Sequence, residues 1–277
     1  MRQGDASDPA GPRGGDERAA LLAVLRVVDL TSLEPTDGPE VAERLSARAV
    51  RPDPARDDLP HLAAVCLLPA IVPLVRRLLA GTTVRVATVA GAFPDGRATP
   101  AAKAAEAAAA VEAGAEEVDL ACDWRAVAAG DPGAVEGEVA AVRSAIGRTP
   151  LKAILETGAL GEPGLVRAAA EAALAGGADW LKTSTGKVEV GATDDALREL
   201  LDCAAGHEAR TGRPVGVKAS GGIRTAAHAR RLLEIASELR GAGSVGPDRF
   251  RLGASSLVDA VVARLGELDG APSREVG

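Results

Sequence analysis

Trp180-Leu181-Lys182-Thr183-Ser184-Thr185-Gly186 begins like a buried strand, ends in small hydroxyl residues and a glycine, and carries one lysine at its centre. An unpaired ammonium in an apolar strand costs several kcal/mol or gives up its proton. Either Lys182 reaches solvent from a surface strand, or the rest of the chain supplies a reason to bury it. A helical pattern precedes the stretch at Gly164–Gly176 and another follows at Thr193–Thr211.

Outward from this unit the same alternation fills the chain. The candidate strands are Val27–Thr31, Ala63–Leu68, Val84–Val89, Glu117–Cys122, Leu151–Thr157, Trp180–Thr185, Val215–Ser220 and Arg249–Ala254. Helical patterns separate them at Glu40–Val50, Ile71–Ala80, Pro100–Ala113, Gly133–Gly147, Gly164–Gly176, Thr193–Thr211 and Thr225–Arg240, with one before the first strand (Arg18–Arg26) and one after the last (Leu257–Leu265). Several open on signals such as Thr99-Pro100 and Thr193-Asp194-Asp195, and several stop at glycines such as Gly81, Gly114 and Gly241. Eight strand–helix units over about 250 residues are the arithmetic of a single-domain α/β fold, the TIM (β/α)8 barrel. The rival, a doubly wound open sheet, asks for about six strands and a Gly-rich turn after the first, and none follows Thr31. Residues 1–17 read as a disordered N-terminal tail, 18–269 as the barrel and 270–277 as a flexible C-terminal tail.

The composition narrows the function classes. The chain has 277 residues, 47% hydrophobic and 26% charged, with a net charge of −7 that argues against nucleic-acid and anionic-membrane partners. The apolar run Leu62–Val75 carries two prolines and is too short to span a bilayer, and the N-terminus lacks the apolar core of a signal peptide. Cys66, Cys122 and Cys203 are far apart and match no metal-ligand spacing or disulfide framework, so a reducing cytoplasm fits. Of 32 basic residues only five are lysine: Lys103, Lys152, Lys182, Lys187 and Lys218. Lysine can become a neutral amine and arginine effectively cannot, so its few positions carry information.

Strand residues two apart share a face. Asp29, Asp119, Lys152 with Glu156, Lys182 with Ser184, and Lys218 with Ser220 therefore put charges where a closed barrel would favour apolar side chains. A network of buried ion pairs is the plain structural reading. Lys182 and Lys218 on consecutive strands are harder to place in it, because each raises the other's cost of protonation. At an unperturbed pKa of about 10.4, fewer than about one lysine in a thousand is neutral at pH 7, and lowering that to about 7 takes roughly 4 kcal/mol. Schiff-base chemistry is what a neutral buried amine serves. Ser220-Gly221-Gly222-Ile223-Arg224 and Gly253-Ala254-Ser255-Ser256 follow the last two strands, the usual phosphate seat of this barrel.

Taken together, these segments resemble the deoxyribose-phosphate aldolase family from Val27 to Val262. The resemblance is carried by residues 177–187 (GADWLKTSTGK), 215–224 (VGVKASGGIR) and 251–257 (RLGASSL). It is supported by Glu117-Val118-Asp119-Leu120, residues 151–158, Asp29-Leu30-Thr31 and residues 64–69. It implies a class I, metal-independent lyase without a cofactor. That enzyme cleaves 2-deoxy-D-ribose 5-phosphate reversibly to D-glyceraldehyde 3-phosphate and acetaldehyde in deoxyribonucleotide catabolism. Lys182 is implied as the Schiff-base residue, with Lys218 and Asp119 moving protons. Gly186, Lys187, Gly221, Gly222, Gly253, Ser255 and Ser256 would bind substrate, and Asp29, Thr31, Cys66, Lys152 and Thr185 would support the barrel interior. A homodimer is compatible with the resemblance. The alternatives are a Schiff-base aldolase for another phosphorylated sugar and a non-catalytic sugar-phosphate-binding barrel. The chain departs from the family in having no tyrosine, which some members place on a mobile tail.

Overall fold

The computed structural model describes residues 14–241, 243 and 245–270. Eight parallel strands close into a barrel in sequence order: β1 Val28–Thr31, β2 Ala64–Leu67, β3 Arg85–Ala90, β4 Glu117–Ala121, β5 Leu151–Ile154, β6 Trp180–Lys182, β7 Gly216–Ser220 and β8 Phe250–Ala254. The open-sheet rival is excluded, because β1 pairs with β8 as well as with β2. Around the barrel run α1 Gly14–Arg26, α2 Pro39–Val50, α3 Val72–Leu78, α4 Pro100–Glu112, α5 Trp124–Ala128, α6 Pro132–Ile146, α7 Thr157–Leu160, α8 Pro163–Ala175, α9 Asp194–Thr211, α10 Ala226–Arg240 and α11 Leu257–Gly270.

The first helix begins at Gly14, inside the expected tail; residues 1–13 and 271–277 of the two expected tails lie outside the described residues. The helix starts follow from side-chain caps. Thr99, Thr193 and Thr225 each accept a hydrogen bond from the backbone N–H three residues on, satisfying a donor that the helix leaves free. The short helices α5 and α7 were not foreseen, since a single turn has no periodicity to read.

Two strands, β5 and β6, end well before the expected Thr157 and Thr185. β5 stops at Ile154 because Glu156 takes a left-handed conformation (φ 53°, ψ 54°) and the chain turns into α7. β6 stops at Lys182 because the hydroxyls of Ser184 and Thr185 bond to Glu156 and to the amides that follow them. Glu156 therefore does not share a strand face with Lys152.

The apolar core lies between strands and helices, and the barrel interior is a separate compartment. One interior wall is apolar, built from Leu33, Ala64, Cys66, Ala87 and Val89, with Leu68 and Phe93 against it. The other strands send in charged side chains, and glycines make room for them. A Cβ on Gly253 would lie 3.0 Å from Lys218 Cε, and one on Gly216 would lie 2.2 Å from the Trp180 ring. Trp180 in turn stacks under the Arg251 guanidinium, 5.4 Å from ring centroid to Cζ. Gly216→Ala is expected to overpack this floor and destabilise the protein by about 1–3 kcal/mol. Urea denaturation checks this, and an unchanged midpoint would mean that the Trp180 ring is free to move.

Candidate active site

The register sets the charged residues side by side: Asp119 opposite Lys152, Lys182 opposite Lys218, and Lys218 opposite Arg251. Their side chains meet in the interior as a closed ring of alternating charge. Lys152 Nζ lies 2.8 Å from Asp119 Oδ1 and 2.7 Å from Glu117 Oε2. Arg251 donates from Nη2 to Glu117 Oε1 (3.0 Å) and from Nη1 to Asp29 Oδ1 (2.5 Å). Lys218 Nζ pairs with Asp29 Oδ2 at 2.6 Å, outside hydrogen-bond alignment, and donates to Asp119 Oδ2 at 2.8 Å. The six members run Asp119–Lys152–Glu117–Arg251–Asp29–Lys218, and all are buried.

Lys182 hangs from this ring as a seventh charge. Its Nζ donates to Asp119 Oδ2 at 2.7 Å, the oxygen that Lys218 already uses, and the side chain is 2% exposed. Every cation of the ring has two carboxylates, whereas Lys182 has a share of one. The titration behaviour follows. Burial lowers the Lys182 pKa, Asp119 opposes it, and the Lys218 charge adds to the lowering, so the amine titrates below 10.5. Burial is thus the larger cause and the second lysine the smaller. Burial also acts against the charged forms of Lys218 and Lys152. There the carboxylates win: Asp119 and Asp29 raise Lys218, and Asp119 and Glu117 raise Lys152. Asp29 and Asp119 are held well below the usual carboxylate range against burial, Asp29 first by Lys218 and Asp119 first by Lys152. Cys66 on the apolar wall is pushed up to about 11 by burial and stays a thiol.

Above the ring, a cleft of about 190 Å³ opens at the C-terminal ends of the strands. Lys182 and Lys218 reach its base. Gly186, Lys187, Gly221, Gly222, Gly253 and Ser255, expected to bind substrate, line it, and so do Thr31 and Thr185, expected to support the barrel interior. Ser256 does not line it, because the chain turns after Ser255 into α11. Asp29, Cys66, Asp119 and Lys152 lie below the cleft in the buried interior. Ser32, Leu33, Glu34 and Arg224 also line the cleft and were missed. Lys187 Nζ is tied to Glu34 Oε1 at 2.7 Å.

Glu117 and Arg251 were missed as well, although the rule of two points to them from Asp119 and Gly253. The fifth lysine, Lys103, is also fully buried, but outside the barrel; it pairs with Glu138 Oε2 (2.8 Å) and donates to Ala121 O (2.9 Å), fastening the end of β4. Among the described residues, no group of three or more His, Cys, Asp or Glu side chains is arranged to hold a metal ion. No helix among them is long and apolar enough to cross a membrane.

A closed (β/α)8 barrel with buried lysines at the foot of a cleft on its C-terminal face has the frame of a barrel enzyme. Residues 31–257 match the DeoC/LacD family aldolases, and the chain belongs to that family; it is an aldolase, a lyase by class. It is similar to the apo form of a putative deoxyribose-phosphate aldolase from Toxoplasma gondii ME49, at 25% identity and a TM-score of 0.80, over 91% of this chain and 98% of that one. A putative deoxyribose-phosphate aldolase from Coccidioides immitis shares 28% identity with a TM-score of 0.72, over 88% and 86% of the two chains. The tetrameric deoxyribose phosphate aldolase from Aeropyrum pernix shares 26% identity with a TM-score of 0.66, over 91% and 98%.

Arg251→Met would leave Asp29 and Glu117 buried without their guanidinium. The expected loss is about 3–5 kcal/mol at neutral pH. Arg251 helps to depress the folded-state pKa of Asp29, so its contribution is full above the ordinary value of 3.8 and lost as pH falls through the depressed one. Urea titrations of both proteins should therefore converge below that value. A gap that stays constant with pH would mean that packing, not charge, is lost.

Proposed function

We propose that the chain cleaves 2-deoxy-D-ribose 5-phosphate reversibly to D-glyceraldehyde 3-phosphate and acetaldehyde through a Schiff base on Lys182, without a metal or other cofactor. The observation that carries this reading is the charge count inside the barrel. Lys152, Lys182, Lys218 and Arg251 face Asp29, Glu117 and Asp119, so one cation is left over, and Lys182, with a share of a single carboxylate, stands at the foot of the cleft. The amine that most readily sheds its proton is therefore the one a substrate meets.

Neutral Lys182 Nζ attacks the C1 aldehyde of the open-chain sugar phosphate. Lys218, an ammonium held by two carboxylates, gives a proton to the carbinolamine hydroxyl, and water leaves with formation of the iminium. Lys218, now neutral, takes the C3 hydroxyl proton as the C2–C3 bond breaks and its electrons flow into the iminium. The bond is C2–C3 because the two-carbon product keeps C1 and C2. D-Glyceraldehyde 3-phosphate departs. Lys218 gives that proton to C2 of the enamine, water adds to the resulting acetaldehyde iminium with its proton passing back to Lys218, and acetaldehyde leaves Lys182 as the neutral amine. Asp119 Oδ2 touches both amines and holds them in register through each transfer. Gly186, Lys187, Gly221, Gly222, Gly253 and Ser255 form the phosphate end of the cleft, with Arg224 beside them, so remote binding energy positions the reacting carbons. Ser256, outside the cleft, has no part in this reading. The same reading assigns the enzyme to deoxyribonucleotide sugar breakdown in the cytoplasm, consistent with three free, buried cysteines.

Borohydride reduction in the presence of acetaldehyde, followed by peptide mass mapping, should place the adduct on Lys182. An adduct on another lysine, or none, would sink the mechanism. Lys182→Arg should fold and lose turnover. The pH dependence of trapping gives the sign of the perturbation. The rate should rise with pH through a midpoint below 10.5, and Lys218→Met should move that midpoint upward by removing a neighbouring cation and leaving Asp119 to Lys182.

A further inference from the structure

Glu156 is a second buried carboxylate cluster in its own right, separate from the ring. It is 3% exposed and sits where β5 gives way to α7. Its backbone is left-handed, uncommon for a residue other than glycine and maintained only where the surroundings over-determine it. What holds it is the segment that follows Lys182. Ser184 Oγ donates to Glu156 Oε1 at 2.6 Å, the Thr185 amide donates to the same oxygen at 3.2 Å, and Thr185 Oγ1 donates to Oε2 at 2.6 Å.

With their protons committed to Glu156, the two hydroxyls turn lone pairs toward the next turn. Ser184 Oγ accepts from the Gly186 amide at 2.9 Å, and Thr185 Oγ1 accepts from the Lys187 amide at 3.1 Å. Thr185, Gly186 and Lys187 line the cleft. The far end of the loop is held by backbone alone: Ala192 N donates to Gly221 O, and a Cβ on Gly191 would meet Gly221 O at 2.3 Å. Little but backbone separates the β6 and β7 loops, so a shift of one displaces the other. A second hydroxyl–backbone clasp, Ser220 Oγ to Ser184 O at 2.6 Å, ties the two strand ends together.

We infer that Glu156 is a positioning residue for the anion end of the cleft: by orienting the Ser184 and Thr185 hydroxyls it sets the Gly186-Lys187 turn, and thereby the preference for a phosphorylated over an unphosphorylated sugar. This rests on the aldolase reading above. Glu156 does not touch the reacting atoms, since Lys182 and Lys218 bond to Asp119 and not to it. Its loss should therefore act on phosphate recognition and spare the amine.

Glu156→Gln keeps the shape but replaces one acceptor oxygen with an amide that cannot accept from a hydroxyl. The KM for 2-deoxyribose 5-phosphate should rise about tenfold, as expected when a buried donor loses its acceptor. The kcat, the KM for unphosphorylated 2-deoxyribose and the rate of acetaldehyde–borohydride trapping on Lys182 should stay within about twofold, since charge and geometry at the amine are unchanged. Thr185→Val, which removes one of the three bonds, should move KM in the same direction and carries the test if the glutamine variant does not fold. An unchanged KM, an equal rise for both sugars, or trapping that falls in parallel would overturn the inference. Failure of the aldolase reading shows separately, as no acetaldehyde adduct in the unaltered protein. In that event, calorimetric titration with inorganic phosphate reads the seat without turnover. Weaker binding by Glu156→Gln supports the positioning role; equal binding, or none by the unaltered protein, overturns it.

Discussion

The interior of this barrel depends on a neutral ring of six charges. Three carboxylates and three cations alternate so that each cation contacts two carboxylates and each carboxylate two ring cations. Buried ions are costly, and isolated buried pairs seldom recover their desolvation. A closed ring recovers more, because every charge has an opposite neighbour on both sides and no member is left at an end. The same closure fixes protonation. Lys152 and Lys218 become harder to deprotonate than free lysine, and Asp29 and Asp119 harder to protonate than free aspartate. At rest, Lys182, outside the ring, is therefore the amine of this compartment that loses its proton most readily.

That arrangement needs the barrel to be closed and the side chains to differ. Arg251 sits on the floor, where its planar fork spans Asp29 and Glu117, a bridge that a point-charge ammonium would make less well. Lys182 and Lys218 stand above it, at the base of the cleft. The apolar wall of Ala64, Cys66, Ala87 and Val89 completes the compartment. It offers few dipoles to solvate an ammonium, so burial prevails over Asp119 at Lys182, whereas at Lys218 Asp119 and Asp29 together prevail over burial.

The fold was legible because all eight strands are buried runs bounded by caps and glycines, and closure followed from their number. Lys182, Lys218 and Asp119 stood out in the sequence because a charge in such a run needs a partner or a purpose. Glu117 and Arg251 were missed for a physical reason. Each stands at or near the start of its strand, where a charge normally faces solvent, and only the closed floor shows that these do not. The pairing of Asp29 with Lys218 and Arg251 joins β1 to β7 and β8, a contact that no local pattern contains. The shortened β5 and β6 share one cause: Glu156 and the hydroxyls opposite it satisfy one another across two strand ends, which propensity along a single strand cannot register.

From floor to mouth, the interior changes in the way its charges are satisfied. At the floor, fixed ions face fixed ions. One layer up, Asp119 is shared between Lys218, which has a second carboxylate, and Lys182, which has none other. At the mouth, Glu156 is satisfied by hydroxyls and an amide and passes order, not charge, to the lining of the cleft. An anion at the mouth would be repelled by a bare carboxylate so near. Three donors spread that charge into the loop. The interior thus keeps its negative charge low and committed, and leaves a positive excess at the level where a sugar phosphate would enter.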